Sequence, residues 1–177
     1  MKMLIKFILL VTSFSALASA CNNAPDDVQK SGYDFRNTNW GMSVDEVKAA
    51  EGLPVAKEGV GTNANSYFLR YKDISFLDYN TTLRYVFYKN HCYLATYLID
   101  SPDEDTFQYL KEMFFNEYGE GMSVVDSSQE TTFIWDYDNV HYTISYYLSD
   151  EDGWILAVRS ASSEFYPPVE EWTIFNH

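Results

Sequence analysis

Leu83, Tyr85 and Phe87 alternate with Arg84, Val86 and Tyr88 inside T-T-L-R-Y-V-F-Y-K-N, the two-residue period of a β-strand. The flanking runs S-Y-F-L-R-Y-K-D-I-S-F and H-C-Y-L-A-T-Y-L-I-D are equally rich in Tyr, Phe, Leu and Thr, residues that suit a pleated, half-buried surface. Three antiparallel strands are therefore predicted, with reversals at Asp78-Tyr79-Asn80 and Lys89-Asn90. Before them, Ser43-Val44-Asp45-Glu46 reads as a capping box. Ser43 accepts from the Glu46 amide and Glu46 reaches back to the Ser43 amide. The predicted helix is about two turns long, with Val44 and Val47 on its apolar side and Gly52 and Pro54 as its stop, too short to stand without packing.

The same order then recurs. Ser101-Pro102-Asp103-Glu104 reads as a second capping box with proline at the first helical position. Phe107, Leu110, Met113 and Phe114 make an apolar face, and the helix is expected to end near Tyr118-Gly119. T-T-F-I-W-D-Y, V-H-Y-T-I-S-Y-Y-L and G-W-I-L-A-V-R-S follow as three more strands, parted by Asp138-Asn139 and by Ser149 to Gly153. The expected fold is α+β: two tandem helix-plus-three-strand units, residues 35–100 and 101–163, in an antiparallel sheet with the helices packed on one face. Glu58-Gly59-Val60-Gly61-Thr62 is expected as a flexible loop, and residues 164–177 as a C-terminal tail.

G-M-S-V-D-E-V-K-A-A-E-G-L-P, Gly41 to Pro54, resembles the opening of the small α/β lipoprotein domain of the outer-membrane β-barrel assembly machine. The tandem layout of residues 35–163 is similar to that of the β-lactamase inhibitor protein type, built from two related copies. The resemblance implies a scaffold that binds proteins without turning over a substrate.

The N-terminus supplies an address. M-K-M-L-I-K-F-I-L-L-V-T-S-F-S-A-L-A-S-A-C has Lys2 and Lys6, an apolar run from Met3 to Val11, and small residues before Cys21. That pattern is an export signal, residues 1–20, and its apolar run is shorter than the roughly 20 residues of a spanning helix. Ala18-Ser19-Ala20 fits ordinary cleavage, whereas L-A-S-A-C resembles a bacterial lipobox. That resemblance implies a diacylglyceryl thioether on Cys21, an acylated amino group and an envelope location, outer membrane where the cell has one. Residues 21–34 then read as a lipidated N-terminus and tether.

Charge narrows the partners. The chain has 26 acidic and 12 basic residues, a net charge of −14; losing Lys2 and Lys6 with the leader brings it to −16. Such a surface repels nucleic acid and anionic lipid, so membrane contact is expected through the anchor alone. With 46% hydrophobic and 18% aromatic residues, the body has ample core material.

Candidate chemistry is thin. Gly41-Met42-Ser43-Val44-Asp45 lacks the second glycine of a nucleophile elbow, and its serine reads as a cap. Cys92 is expected as a single buried thiol, a bridge to Cys21 being open only if Cys21 carries no lipid. His91 and Cys92, adjacent on a strand, point to opposite faces; a Cys92 and His141 dyad across the sheet is the remaining nucleophilic arrangement. Asp136 to Asn139 and Asp150 to Gly153 gather oxygen ligands without calcium-loop spacing, and no cofactor is expected. Fifteen tyrosines and twelve phenylalanines exceed what one face of a sheet can bury, so tyrosines are expected on the outer face. The candidate contacts are Trp40, Tyr85, Tyr88, Tyr146 and Trp172, on a non-catalytic module that binds an envelope or exported protein. A carrier of a small ligand, with a groove between sheet and helices, is the alternative.

Overall fold

The runs of alternating residues become strands of a single sheet in a computed structural model, which describes residues 34–61, 64–150 and 152–167. The elements in chain order are α1 (Val44–Glu51), β1 (Lys57–Val60), β2 (Ser66–Phe76), β3 (Tyr79–Tyr88), β4 (His91–Asp100), α2 (Glu104–Tyr118), β5 (Met122–Asp126), β6 (Glu130–Tyr137), β7 (Val140–Ser149) and β8 (Gly153–Ser162). The protein is α+β, with an eight-stranded antiparallel sheet in the order β1-β2-β3-β4-β8-β7-β6-β5.

Each helix precedes four strands where three were expected. Lys57–Val60, expected as part of a flexible loop, pairs with β2 through Lys57↔Arg70 and Val60↔Tyr67. Met122–Asp126 likewise forms an edge strand on β6. Both are short, and β1 contains a glycine, so neither shows enough alternation to be read locally.

Three reversals use two residues of positive φ: Leu77 and Asp78, Lys89 and Asn90, Asp138 and Asn139. Such turns match the right-handed twist of the strands they join. The first lies one residue earlier than Asp78-Tyr79-Asn80 suggested.

The Ser43 cap is as expected. Its hydroxyl accepts from the Glu46 amide at 3.4 Å, and the Ser43 amide donates to the Glu46 carboxylate at 2.8 Å. The second start differs. Asp103, not Ser101, caps α2, accepting from the Thr106 amide at 2.7 Å, because Ser101 has a φ of 52° and stands outside the helix.

Both helices lie on one face of the sheet. Val47 of α1 and Phe107, Leu110 and Phe114 of α2 share one core with Leu69, Tyr71, Leu83, Tyr85, Tyr97, Ile144, Leu156 and Val158. Cross-strand register keeps these side chains on the same side, as in Leu69↔Tyr85, Leu83↔Tyr97, Tyr97↔Val158 and Ile144↔Val158. On the other face a small cluster forms from Val86, Tyr88, Tyr93, Leu94 and Ala161, partly covered by Phe165 and Tyr166. No helix among the described residues is long and apolar enough to cross a membrane.

Candidate binding face

The expected contact residues do not share one surface. Trp40 is half-buried on the helix side, its ring centroid 6.2 Å from that of Phe35. Tyr85 is completely buried, so it cannot touch a partner; it belongs to the core. Tyr88 lies on the opposite face and is also buried. Tyr146 is half-buried near the far end of the sheet, stacked between Phe107 and Trp154 at centroid distances of 5.3 and 4.5 Å. Cys21 and Trp172 lie outside the described residues.

Tyr85 is buried because polar partners meet its hydroxyl. It donates to Glu51 Oε1 at 2.5 Å, while Arg36 Nε and Nη2 approach the same carboxylate at 3.2 Å and Arg36 Nη1 donates to the Tyr97 hydroxyl at 3.4 Å. Burial and then the Glu51 charge hold the Tyr85 phenol above its ordinary range. Burial alone would lower the Arg36 pKa, but Tyr97 and Glu51 outweigh it and raise it. This cluster ties the segment before α1, and α1 itself, to β3 and β4.

Some tyrosines do lie on the outer face, Tyr88, Tyr93 and Tyr147, the first two buried there. Tyr67, Tyr71, Tyr79, Tyr85, Tyr97, Tyr142 and Tyr146 join the helix-side core. Two helices leave much of that face open, and large rings fill the space; several of their hydroxyls reach polar groups, as Tyr79 reaches Thr106 Oγ1 at 3.0 Å, whereas the buried Tyr71 hydroxyl has no partner.

The outer face also carries a row of cations. Register places Lys57 beside Arg70, Arg70 beside Arg84, Arg84 beside Thr96, and Thr96 beside Arg159, all on the side away from the helices. Arg70 and Arg84 share the ring of Phe68, their guanidinium carbons 5.6 and 5.5 Å from its centroid. Arg159 Nη1 donates to Ser145 Oγ at 2.9 Å, and the Ser145 and Thr132 hydroxyls are hydrogen-bonded to each other at 2.9 Å. Arg70 and Arg84 each keep a buried Nε with no acceptor. Among the described residues, none of the three arginines makes an ion pair. Burial, then the charge of Arg70, lowers the Arg84 pKa, with Arg159 adding to the fall; burial also lowers that of Arg159. The three arginines sit at outward positions of strands that face the core on either side, but only the register brings residues 70, 84 and 159 together. The local signal was a cation at alternate strand positions; the row itself was not readable.

On the helix side, a cleft of about 530 Å³ opens between α2 and the β5-β6 turn, lined by Phe107, Lys111, Phe133, Tyr146 and Trp154 with Glu104 at its rim. Cys92 and His141 do not meet: Cys92 is buried on the helix side, whereas His141 shares the outer row with Ala161 and bonds Asp136. Burial pushes the Cys92 thiol up to about 12. Among the described residues no group of three or more His, Cys, Asp or Glu side chains could hold a metal ion. No family model, curated protein or solved structure matches the chain.

Proposed function

We propose that the protein is a non-catalytic protein-binding module of the bacterial cell envelope, exported by residues 1–20 and held to a membrane by lipid on Cys21. One observation carries the binding reading. The sheet face without helices displays Arg70, Arg84 and Arg159 together with half-buried Phe68, Leu98 and Tyr147, the mixture of arginine, aromatic and aliphatic side chains that concentrates binding energy at protein interfaces. The size suits that role. Eight strands at about 4.8 Å spacing and strands of about ten residues give a face on the order of 1,000 Å², against about 800 Å² per partner in a standard interface.

The two halves, each a helix followed by a run of antiparallel strands, are read as tandem copies of one unit, in line with the likeness of Gly41 to Pro54 to an envelope-assembly lipoprotein and of the layout to an inhibitor protein. Assembly factor and inhibitor or immunity-like binder are the two roles this supports. The cleft of about 530 Å³ beside α2 favours the second reading, a carrier of a small ligand.

Affinity capture from envelope extract with the full chain tests the first reading, using Thr143→Trp to obstruct the outer face and Gln108→Trp to fill the cleft. Loss of the captured protein with T143W alone supports binding through the face; loss only with Q108W supports the cleft. The Cys21→Ser variant is expected to leave the membrane fraction, and its retention there would sink the anchor.

A further inference from the structure

We propose that the row Arg70, Arg84 and Arg159 recognises a short extended segment of a partner protein that bears carboxylates at alternate positions. This rests on the protein-binding reading and names the chemistry of the partner. In a chain of net charge −14, a cation on the surface has acidic side chains in excess to pair with, yet these three have none among the described residues. Of the carboxylates on the outer face, Asp136 holds His141, and Glu130 accepts from Thr132 Oγ1 at 3.0 Å and attracts Arg159 without making an ion pair with it.

Covering the sheet explains the arginine stems, which shield buried Thr96 and Ser145. It does not explain the head groups. Two of them keep a buried Nε–H without an acceptor, an arrangement that costs stability and is rare unless something else completes it. A guanidinium presents a planar fork that matches a carboxylate in bidentate fashion, and each of these is already fixed in place, Arg70 and Arg84 by the Phe68 ring and Arg159 by Ser145.

The spacing selects the ligand. Arg70 and Arg159 are three strand steps apart, about 14 Å, with Arg84 one step from Arg70 and two from Arg159 across Thr96. Carboxylates at i and i+4 of an extended chain lie about 13–14 Å apart on one side and match the two ends of the row. The one at i+2, about 7 Å along, falls within reach of the long Arg84 side chain. A bilayer or a nucleic acid brings a broad anionic surface against the whole acidic protein, and that repulsion exceeds what three arginines return. A short segment meets the row and little else.

The test measures fluorescence anisotropy of labelled Ser-Glu-Ser-Glu-Ser-Glu-Ser and its glutamine counterpart against the full-length protein. The glutamate peptide is expected to bind at least tenfold tighter, weakening as salt rises from 50 to 200 mM. Arg84→Gln and Arg70→Gln should each lower that affinity at least fivefold, with folding checked by circular dichroism; Lys111→Gln on the helix side should leave it unchanged. Equal binding of the two peptides, or unchanged binding by both arginine variants, overturns the proposal. So does equal competition by inorganic pyrophosphate or by phosphatidylglycerol vesicles, and so does binding that requires deletion of residues 168–177, which would assign the row to the chain's own Glu170 and Glu171. If a partner captured by the full chain is lost with T143W but kept by R70Q and R84Q, protein binding stands and the acidic segment falls. If nothing is captured while the glutamate peptide still discriminates, the row stands as a carboxylate site and the protein-binding reading falls.

Discussion

The Tyr85 hydroxyl donates to the Glu51 carboxylate at 2.5 Å inside the core, joining the middle of β3 to the last turn of α1. The carboxylate is buried, and Arg36 and Tyr85 are its partners. Tyr85→Phe removes one hydrogen bond to a charged group and should cost about 1.5–3 kcal/mol. Glu51→Ala leaves both partners without their acceptor and should cost about 3–5 kcal/mol. Urea denaturation of the two variants checks the order, and a larger loss for Y85F would overturn the role given to Glu51.

The two helix starts should respond to different residues. Ser43→Ala should cost about 1 kcal/mol, the usual value of an N-cap. At α2, Asp103→Ala should lower the thermal midpoint while Ser101→Ala leaves it nearly unchanged, since Asp103 is the cap. Hydrogen bonding to Thr106 holds the Asp103 carboxyl below its ordinary value of 3.8, and bonding to the Ser43 amide and hydroxyl does the same for Glu46 below 4.5. Their contributions are present above those values and fade as pH falls through the lowered ones. An S101A loss equal to that of D103A would contradict the cap assignment.

Alkali should weaken the fold from about pH 9 upward. Burial raises Cys92 from 9.0 to about 12 and Tyr71 from 10.0 to about 12, so the folded state keeps protons that the unfolded state releases. The stabilisation is complete below the unfolded values and is lost as pH climbs through about 9–12. Denaturation midpoints followed from pH 8 to 12 should fall, and Cys92→Ala should fall less steeply above pH 9. At pH 8 a thiol reagent should react with Cys92 only as fast as the protein unfolds.

Gly121 is a packing requirement. A Cβ built there would lie 2.4 Å from Trp135 Cε2 and 2.7 Å from its Nε1, and that indole donates to the Gly119 carbonyl at 2.9 Å. Gly121→Ala must displace the ring and should cost about 1–3 kcal/mol. Gly52 has open space but a φ of +62°, so Gly52→Ala meets only the backbone penalty of about 1–2 kcal/mol. Tryptophan fluorescence should shift with G121A and stay unchanged with G52A.

Much of the sheet could be read locally, because each long strand carries its own alternation and each tight reversal its own polar residues. The limits had physical causes. Lys57–Val60 and Met122–Asp126 are too short to show a period. Ser101 and Asp103 both fit a cap motif, and only the backbone of Ser101 decides between them. Tyr85 shares its alternating face with Leu83 and Phe87, but the acceptor that lets its hydroxyl be buried, Glu51, lies 34 positions earlier. The arginine row depends on a register between strands as distant as β2 and β8, which no window of sequence contains.

The strand order also fixes a hazard of synthesis. β4 pairs on its second side with β8, and everything from Ser101 to Asp152 is made in between. Until Gly153–Ser162 emerges from the ribosome, the edge of β4 from Leu94 to Asp100 that pairs with β8 presents bare amides and carbonyls beside Leu94, Tyr97 and Ile99. A chain stopped before residue 153 would keep that adhesive border for good. β8 is thus the strand that completes the assembly: its arrival joins two half-sheets, each prone to stick to other chains along its bare inner edge, into one continuous sheet.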